Sequence, residues 1–329
     1  MTKPRAYLAT RVPEHVRQML EDALDLEVYE GGGRPPRELL QRVLPTVPGI
    51  LTSNGVMIDN GLIDAAPNLR VVSNFGVGYD NVDIPYATER GLLVCNTPGV
   101  LSDAVADLTF GFIIDLARGV LQSDRHVREG RWSRGEAMPL GRDLRGATLG
   151  ILGLGRIGHV VAYRAEAFGM NAVYFDPIRD PIAEQNGRVA YMERDEVLRQ
   201  ADFVTVHVFL DPSTRQHMGA REFGLMKPSA YFINTSRGGV VDQSALAEAL
   251  RTRQIAGAAL DVLEREPPEA NDPLLALDNI ILAPHIGSAT TETREAMAAL
   301  AGRNLVAALT GGTPEAMVNP QARAVTPVR

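Results

Sequence analysis

The stretch Leu149-Gly150-Ile151-Leu152-Gly153-Leu154-Gly155-Arg156-Ile157-Gly158 decides the fold. Residues 149–152 read as a buried strand and residues 156–168 as the helix that follows it. Between them Gly153 permits a tight turn, Gly155 lets the backbone approach a pyrophosphate, and Gly158 lets helix and strand pack closely. The helix start, with Arg156 and Ile157, offers free N–H groups and the positive end of a dipole to phosphates. Glycine turns are common, so the context carries the argument. Asp176 stands eighteen residues after Gly158, at the end of a strand over 172–175. A carboxylate there accepts from both ribose hydroxyls and repels a 2′-phosphate. The cofactor read from these residues is NAD(H), with NADP(H) as the alternative that nearby Arg179 leaves open.

Working outward, strand-like and helix-like segments alternate along the chain, the pattern of parallel sheets with covering helices. Before the fingerprint, residues 6–9, 49–52, 70–73 and 91–95 read as strands, with helices over 15–24 and 59–65. Ala104, Val105, Leu108, Phe112 and Leu116 recur at helical spacing and define a long helix over 102–118. Residues 125–141, rich in Arg and Gly, read as a connecting or projecting segment. After the fingerprint come strands at 203–206, 230–234, 256–261 and 280–282, then a last helix over 290–309. Only residues 320–329 read as loose.

The fold class is therefore α/β, with two doubly wound parallel-sheet domains. A Rossmann-type NAD domain over 101–289 is inserted in a flavodoxin-like substrate-binding domain formed by 1–100 and 290–329.

The 329 residues suit two domains, and 45% hydrophobic with 22% charged residues is ordinary for a globular protein. A net charge of −7 argues against nucleic-acid and anionic-membrane partners, so an anionic substrate needs a local positive site. Cys95 is the only cysteine, which rules out an internal disulfide and a thiolate metal cluster. Residues 1–10 contain no long apolar stretch and no run in the chain reaches the length of a membrane span, so the expected location is the cytoplasm. His15, His126, His159, His207 and His217 show no metal-ligand spacing, and no metal is expected. His207 stands at a strand end, where it either walls the adenosine pocket or is structural. No GxSxG or Walker-type loop is present.

Three residues past successive strands carry the expected chemistry: Arg237, Glu266 and His285. In open α/β sheets ligands bind outside the carboxyl ends of strands. The planar Arg fork suits a carboxylate and an adjacent carbonyl together. An imidazolium donates a proton to a nascent alkoxide, and a carboxylate on its second nitrogen favours the charged form.

These residues bring the chain to a family. It resembles the D-2-hydroxyacid dehydrogenases over nearly its whole length, on these segments in this order: Asn74-Phe75-Gly76-Val77-Gly78-Tyr79-Asp80, Asn96-Thr97-Pro98-Gly99, the fingerprint, Asn234-Thr235-Ser236-Arg237-Gly238-Gly239, Asp261-Val262-Leu263-Glu264-Arg265-Glu266-Pro267 and Pro284-His285-Ile286-Gly287-Ser288. The resemblance implies that Arg237, Glu266 and His285 form the catalytic triad. It implies that the Val77 and Gly78 N–H groups hold the substrate carboxylate in a pocket closed by Ser53, Asn54 and Gly55. It also implies cofactor contacts from Asp261, Thr235 and Gly287, and a homodimer built through residues 102–145.

Within the family, residues 285–290 and 140–144 look most like glyoxylate and hydroxypyruvate reductases. Two departures stand out: Gly135 where some reductases carry an aromatic three residues after Trp132, and Phe209 where many members have Pro. The expected activity is interconversion of a small 2-keto acid, such as glyoxylate or hydroxypyruvate, and its 2-hydroxy acid. The alternatives are 3-phosphoglycerate oxidation and an NAD-sensing, corepressor-like binding protein, since a fold alone does not define a function.

Overall fold

A computed structural model describes residues 2–324. The chain divides into two compact units, Met1–Leu101 with Thr290–Arg329, and Ser102–Ala289. From the N-terminus run β1 (Arg5–Leu8), α1 (Glu14–Ala23), β2 (Asp25–Val28), α2 (Arg37–Val43), β3 (Gly49–Ser53), α3 (Asn60–Ala65), β4 (Val71–Phe75), α4 (Ile84–Glu89) and β5 (Leu93–Cys95). Next come α5 (Ser102–Arg118), α6 (Val120–Arg128), β6 (Thr148–Leu152), α7 (Arg156–Ala167), β7 (Asn171–Phe175), α8 (Pro181–Gln185), β8 (Ala190–Tyr191), α9 (Arg194–Gln200) and β9 (Phe203–Val206). Then follow α10 (Ala220–Leu225), β10 (Tyr231–Asn234), α11 (Gln243–Arg251), β11 (Gly257–Leu260), β12 (Ile280–Leu282) and α12 (Thr291–Thr310), the last of which belongs to the first unit.

The first unit holds a five-stranded parallel sheet in the order β2-β1-β3-β4-β5, the flavodoxin-like order. Strand side chains alternate between faces, so each strand feeds two cores. Tyr7, Ile50, Val72 and Val94 pack with Leu40, Leu62 and Ala87 on one side. Ala6, Leu8, Leu51, Val71 and Leu93 pack with Val16 and Leu20 of α1 and with Ala298, Ala301 and Leu305 of α12 on the other. Truncating one of the fully buried side chains, such as Leu305→Ala, costs about 2–5 kcal/mol. Thr290 caps α12 by accepting the Thr293 N–H at 3.2 Å.

The second unit holds a seven-stranded parallel sheet in the order β12-β11-β10-β9-β6-β7-β8. This is the Rossmann order with one strand added beyond β11, and its direction of winding reverses between β6 and β9. Leu149 and Ile151 of β6 face Phe110 and Ile113 of α5 and Val161 and Ala165 of α7. Leu152, Val204 and Phe232 face the opposite layer, with Val197, Phe223 and Leu246. Asp202, just before β9, ties the lower edge: its carboxylate accepts from Thr148 N at 2.9 Å and Lys227 Nζ at 3.0 Å.

Three local readings change. β2, with Asp25 exposed and its burial alternating, is an edge strand that the sequence reading passed over. Residues 125–141 are not all connection, because α6 reaches Arg128 and a 3-10 turn covers Trp132–Arg134. Pro320–Ala324 forms a further 3-10 turn rather than a loose end, and the rest of 320–329 lies outside the described residues.

Candidate active site

The dinucleotide fingerprint sits at the switch point of the second sheet. Gly153 leaves β6 at φ 95°, a conformation that L side chains rarely adopt. A side chain there would also meet Val208 Cγ1 at 2.9 Å, so the turn needs glycine twice over. No side chain caps α7, in contrast to α11, where Asp242 accepts from Ser244 N and Ala245 N. The first N–H groups of α7, from Arg156 to Gly158, thus lie at an uncapped helix end, and the space around Gly155 is open. Asp176 accepts the Leu154 N–H on Oδ2 at 2.9 Å and the Ile178 N–H on Oδ1 at 3.0 Å. These features fit a dinucleotide: open phosphate donors, a close backbone approach and a ribose acceptor at the neighbouring strand end.

Arg179 does not reach toward Asp176. Its Nη2 donates to Glu184 Oε2 at 2.5 Å, and its guanidinium lies over the Tyr191 ring at 4.5 Å. His207, past β9, is half-buried, and desolvation pushes its imidazole down to about 3, so it is neutral. Its Nε2 lies 3.0 Å from Thr205 Oγ1, and its Nδ1 has no hydrogen-bond partner among the described residues.

The chemical cluster lies past the neighbouring strands β10, β11 and β12. Arg237 follows β10 in a turn shaped by Asn234, which is fully buried. Asn234 Nδ2 donates to Arg237 O at 2.9 Å, and its Oδ1 accepts from Ser236 N at 2.9 Å. Glu266 follows β11, and Glu266 Oε1 accepts the Leu263 N–H at 3.1 Å. His285 follows β12, with Nδ1 2.8 Å from Glu266 Oε2. Burial works to raise the Glu266 carboxyl, but the His285 hydrogen bond and charge, the Leu263 N–H and the Arg237 charge outweigh it and hold it below its ordinary value.

Asp261 and Gly287 take a place that the motif alone does not reveal. Asp261 is 1% exposed, and both carboxylate oxygens bind the loop that carries His285, accepting from Ile286 N and Gly287 N at 2.7 Å each. Burial raises its carboxyl despite those two donors. Thr235 Oγ1 pairs with Thr109 Oγ1 of α5 at 3.2 Å, both side chains being buried.

In the first unit, Ser53 ends β3 with Asn54 and Gly55 just after it, and Val77 and Gly78 follow β4. Asn74 Nδ2 donates to Asn54 Oδ1 at 2.7 Å and to Gly78 O at 2.6 Å, which binds the two loops to each other. Asn81 Nδ2 donates to Val56 O at 2.9 Å, and Asn96 Nδ2 to Val77 O at 2.8 Å. Asn74, Asn81 and Asn96 received no role from sequence reasoning. The signal in the sequence is asparagine beside glycine turns: Asn74 and Asn81 flank Gly76 and Gly78, and Asn96 opens the turn that ends at Gly99. Among the described residues no group of His, Cys, Asp and Glu could hold a metal ion, and no helix is long and apolar enough to cross a membrane.

A Rossmann-ordered sheet with an open glycine turn and an Arg, Glu and His past its neighbouring strands defines a nicotinamide-dependent dehydrogenase. Residues 110–287 match the family model "D-isomer specific 2-hydroxyacid dehydrogenase, NAD binding domain". The chain is also 43% identical to a glyoxylate reductase of Thermococcus litoralis, over 96% of this chain and 97% of that protein. It belongs to the D-isomer specific 2-hydroxyacid dehydrogenases. It is accordingly an oxidoreductase that uses a nicotinamide cofactor on the CH–OH group of small 2-hydroxy acids. Among solved structures, a glyoxylate reductase from Paecilomyes thermophila matches with TM-score 0.89 at 33% identity, over 98% of this chain and all of that one. An NADPH-dependent glyoxylate/hydroxypyruvate reductase from Sinorhizobium meliloti, in complex with NADP and malonate, matches with TM-score 0.88 at 35% identity, over 98% of each chain.

Proposed function

We propose that this protein is an NADH-dependent reductase of glyoxylate or hydroxypyruvate, with His285 as the proton donor. The observation that carries the reading is the 2.8 Å contact between His285 Nδ1 and Glu266 Oε2. A carboxylate only accepts, so Nδ1 bears a proton and Nε2 is left to serve the substrate oxygen. When bound, the nicotinamide would supply the hydride. His285 Nε2–H gives its proton to the oxygen as negative charge grows there, and Glu266 keeps the Nδ1 proton in place throughout. In the oxidative direction neutral His285 takes the hydroxyl proton back. Arg237 holds the substrate carboxylate and carbonyl in one plane, and the N–H groups of Val77 and Gly78 take the carboxylate, beside Ser53, Asn54 and Gly55.

Gly153, Gly155, Arg156, Ile157 and Gly158 would hold the pyrophosphate, Asp176 the ribose, and His207, Thr235, Asp261 and Gly287 would line the rest of the cofactor site. NADH is preferred because Asp176 would face a 2′-phosphate, while Arg179, the cation that could greet one, is engaged with Glu184 and Tyr191. The relatives' names supply the two keto acids, since curated proteins of 41–44% identity are glyoxylate reductases. A homodimer through residues 102–145 accounts for a run, 131–140, in which every residue is exposed, with Leu140 at 99% and Trp132 at 71%. With one cysteine, and that one buried, the chain needs no oxidising compartment, and we assign it to the cytoplasm.

NADH consumption across a panel of 2-keto acids, with NADPH in parallel, tests the proposal. Glyoxylate and hydroxypyruvate should give the highest kcat/KM, with NADH. A clear preference for a phosphorylated or bulky keto acid would overturn it.

A further inference from the structure

The loop after β4 carries the two N–H groups to which the proposed function assigns the substrate carboxylate, and this inference rests on that reading. Each N–H belongs to a peptide unit whose carbonyl is gripped from the other side. Thr97 N donates to Gly76 O at 2.9 Å, and that carbonyl shares its peptide with the Val77 N–H. Asn96 Nδ2 donates to Val77 O at 2.8 Å, and that carbonyl shares its peptide with the Gly78 N–H. Both peptides are trans. In a trans peptide the carbonyl and the N–H point in opposite directions, so both N–H groups are aimed away from the Asn96-Thr97 turn. A hydrogen bond on the carbonyl also polarises the amide and strengthens its N–H as a donor.

The gripping residue is itself fixed. Asn96 is 8% exposed, and its carbonyl accepts from Asn304 Nδ2 of α12 at 3.2 Å. Asn304 is fully buried, and its Oδ1 accepts from Glu315 N at 2.8 Å. A row of buried amides thus runs from α12 through the end of β5 to the Val77–Gly78 peptide. Asn96 Nδ2 grips that peptide by its carbonyl, on the side opposite the N–H that a carboxylate would meet.

We propose that Asn96 is a positioning residue for substrate: it orients and polarises the Val77–Gly78 peptide so that Gly78 N–H receives the carboxylate of the 2-keto acid. Asparagine is the required type because the contact needs a neutral donor of that length. Aspartate would set oxygen against oxygen, and alanine would leave Val77 O without its donor.

The test uses the NADH-saturated enzyme, labelled with 15N-glycine, and oxalate, an unreducible dicarboxylate. In the parent, oxalate should shift the Gly78 amide resonance. In Asn96→Ala the Gly78 15N resonance should already be displaced before oxalate is added. Oxalate affinity should fall about tenfold, and KM for glyoxylate should rise more than kcat falls. NADH affinity should be unchanged, because the residues assigned to it lie in the other unit. Asn96→Asp, of nearly the same size, should weaken oxalate at least as much.

If oxalate shifts Gly78 in the parent but Asn96→Ala keeps both the parent resonance and the parent affinity, the positioning role is wrong and the carboxylate assignment stands. If oxalate leaves the parent's Gly78 resonance unmoved, the carboxylate assignment itself fails. If NADH and oxalate weaken in step in both variants, Asn96 serves folding alone and the proposal falls.

Discussion

Asp261 holds His285 by the backbone on both sides: the His285 N–H donates to Asp261 O at 2.9 Å, and the Asp261 carboxylate accepts the next two N–H groups. His285 needs such a clamp, because it sits at φ 57°, a left-handed conformation that costs a non-glycine residue about 1–2 kcal/mol. In Asp261→Asn the amide can accept only one of the two N–H groups and sets its own N–H against the other. An orphaned buried donor costs about 1–3 kcal/mol, so kcat should fall roughly tenfold or more as the His285 loop loses its set. Steady-state kinetics beside near-ultraviolet circular dichroism checks this; a parent-like kcat would show that the clamp is dispensable.

Glu266→Gln should move the alkaline limb of the reductive pH–rate profile to lower pH, because the charge that stabilises imidazolium is gone. The oxidative limb should move the same way. The parent Glu266 carboxyl lies below its ordinary value, so the stability that it contributes is present above about pH 4.3 and fades only as pH falls through the lower folded value. His285→Ala should lower kcat by about 10²–10⁴-fold while NADH still binds. A reductive limb that stays in place in Glu266→Gln would remove Glu266 as the partner.

Arg237→Lys keeps the charge and loses the planar fork. KM for the keto acid should rise and kcat should fall, together about 10²-fold in kcat/KM, the usual cost of misplacing a reactant by an ångström. NADH affinity, measured by fluorescence titration, should hold. Parent-like turnover of the best substrate would move the role elsewhere.

Asp176→Gly should narrow the preference for NADH over NADPH, mainly by weakening NADH, since the residue also braces the Leu154 N–H. Adding Glu184→Ala releases Arg179 from its ion pair, and the double variant should gain NADPH affinity that the single one lacks. Dissociation constants for both cofactors decide the matter. Equal affinities in the parent would sink the reading of Asp176.

Leu140→Asp combined with Trp132→Ser should shift a sedimenting dimer toward monomer, because both side chains are exposed apolar groups on the segment assigned to the interface. A parent that sediments as a monomer, or a coefficient that the variant leaves unchanged, would overturn the dimer proposed through this segment.

Much of this architecture is legible in local chemistry. The switch-point turn announces itself through three glycines at fixed spacing, and the strands through short apolar runs such as Phe203–Val206. The exposed edge strand β2 escapes because Asp25 and Glu27 break the apolar pattern that marks buried strands. The contribution of Asn96 escapes for a different reason. Its partner is a backbone carbonyl nineteen positions earlier, and any residue has one of those. Asp261 reads in the motif as a cofactor contact, and the second use of its carboxylate, on backbone N–H groups twenty-five and twenty-six positions away, has no local signal.

The placement of α12 has a consequence for how the protein is made. Ala6, Leu8, Leu51, Val71 and Leu93 leave the ribosome early, and Ala298, Ala301 and Leu305, which cover them, arrive only after all of Ser102–Ala289 has been translated. At ~5–20 residues per second the delay lasts roughly 10–40 s. Throughout it, the second unit can complete its own sheet from contiguous chain, while the first carries an apolar face that α1 covers without α12, on a sheet whose strands are already present. Aggregation during synthesis is therefore expected from the first hundred residues, where the incompletely covered face is what a nascent-chain chaperone would hold.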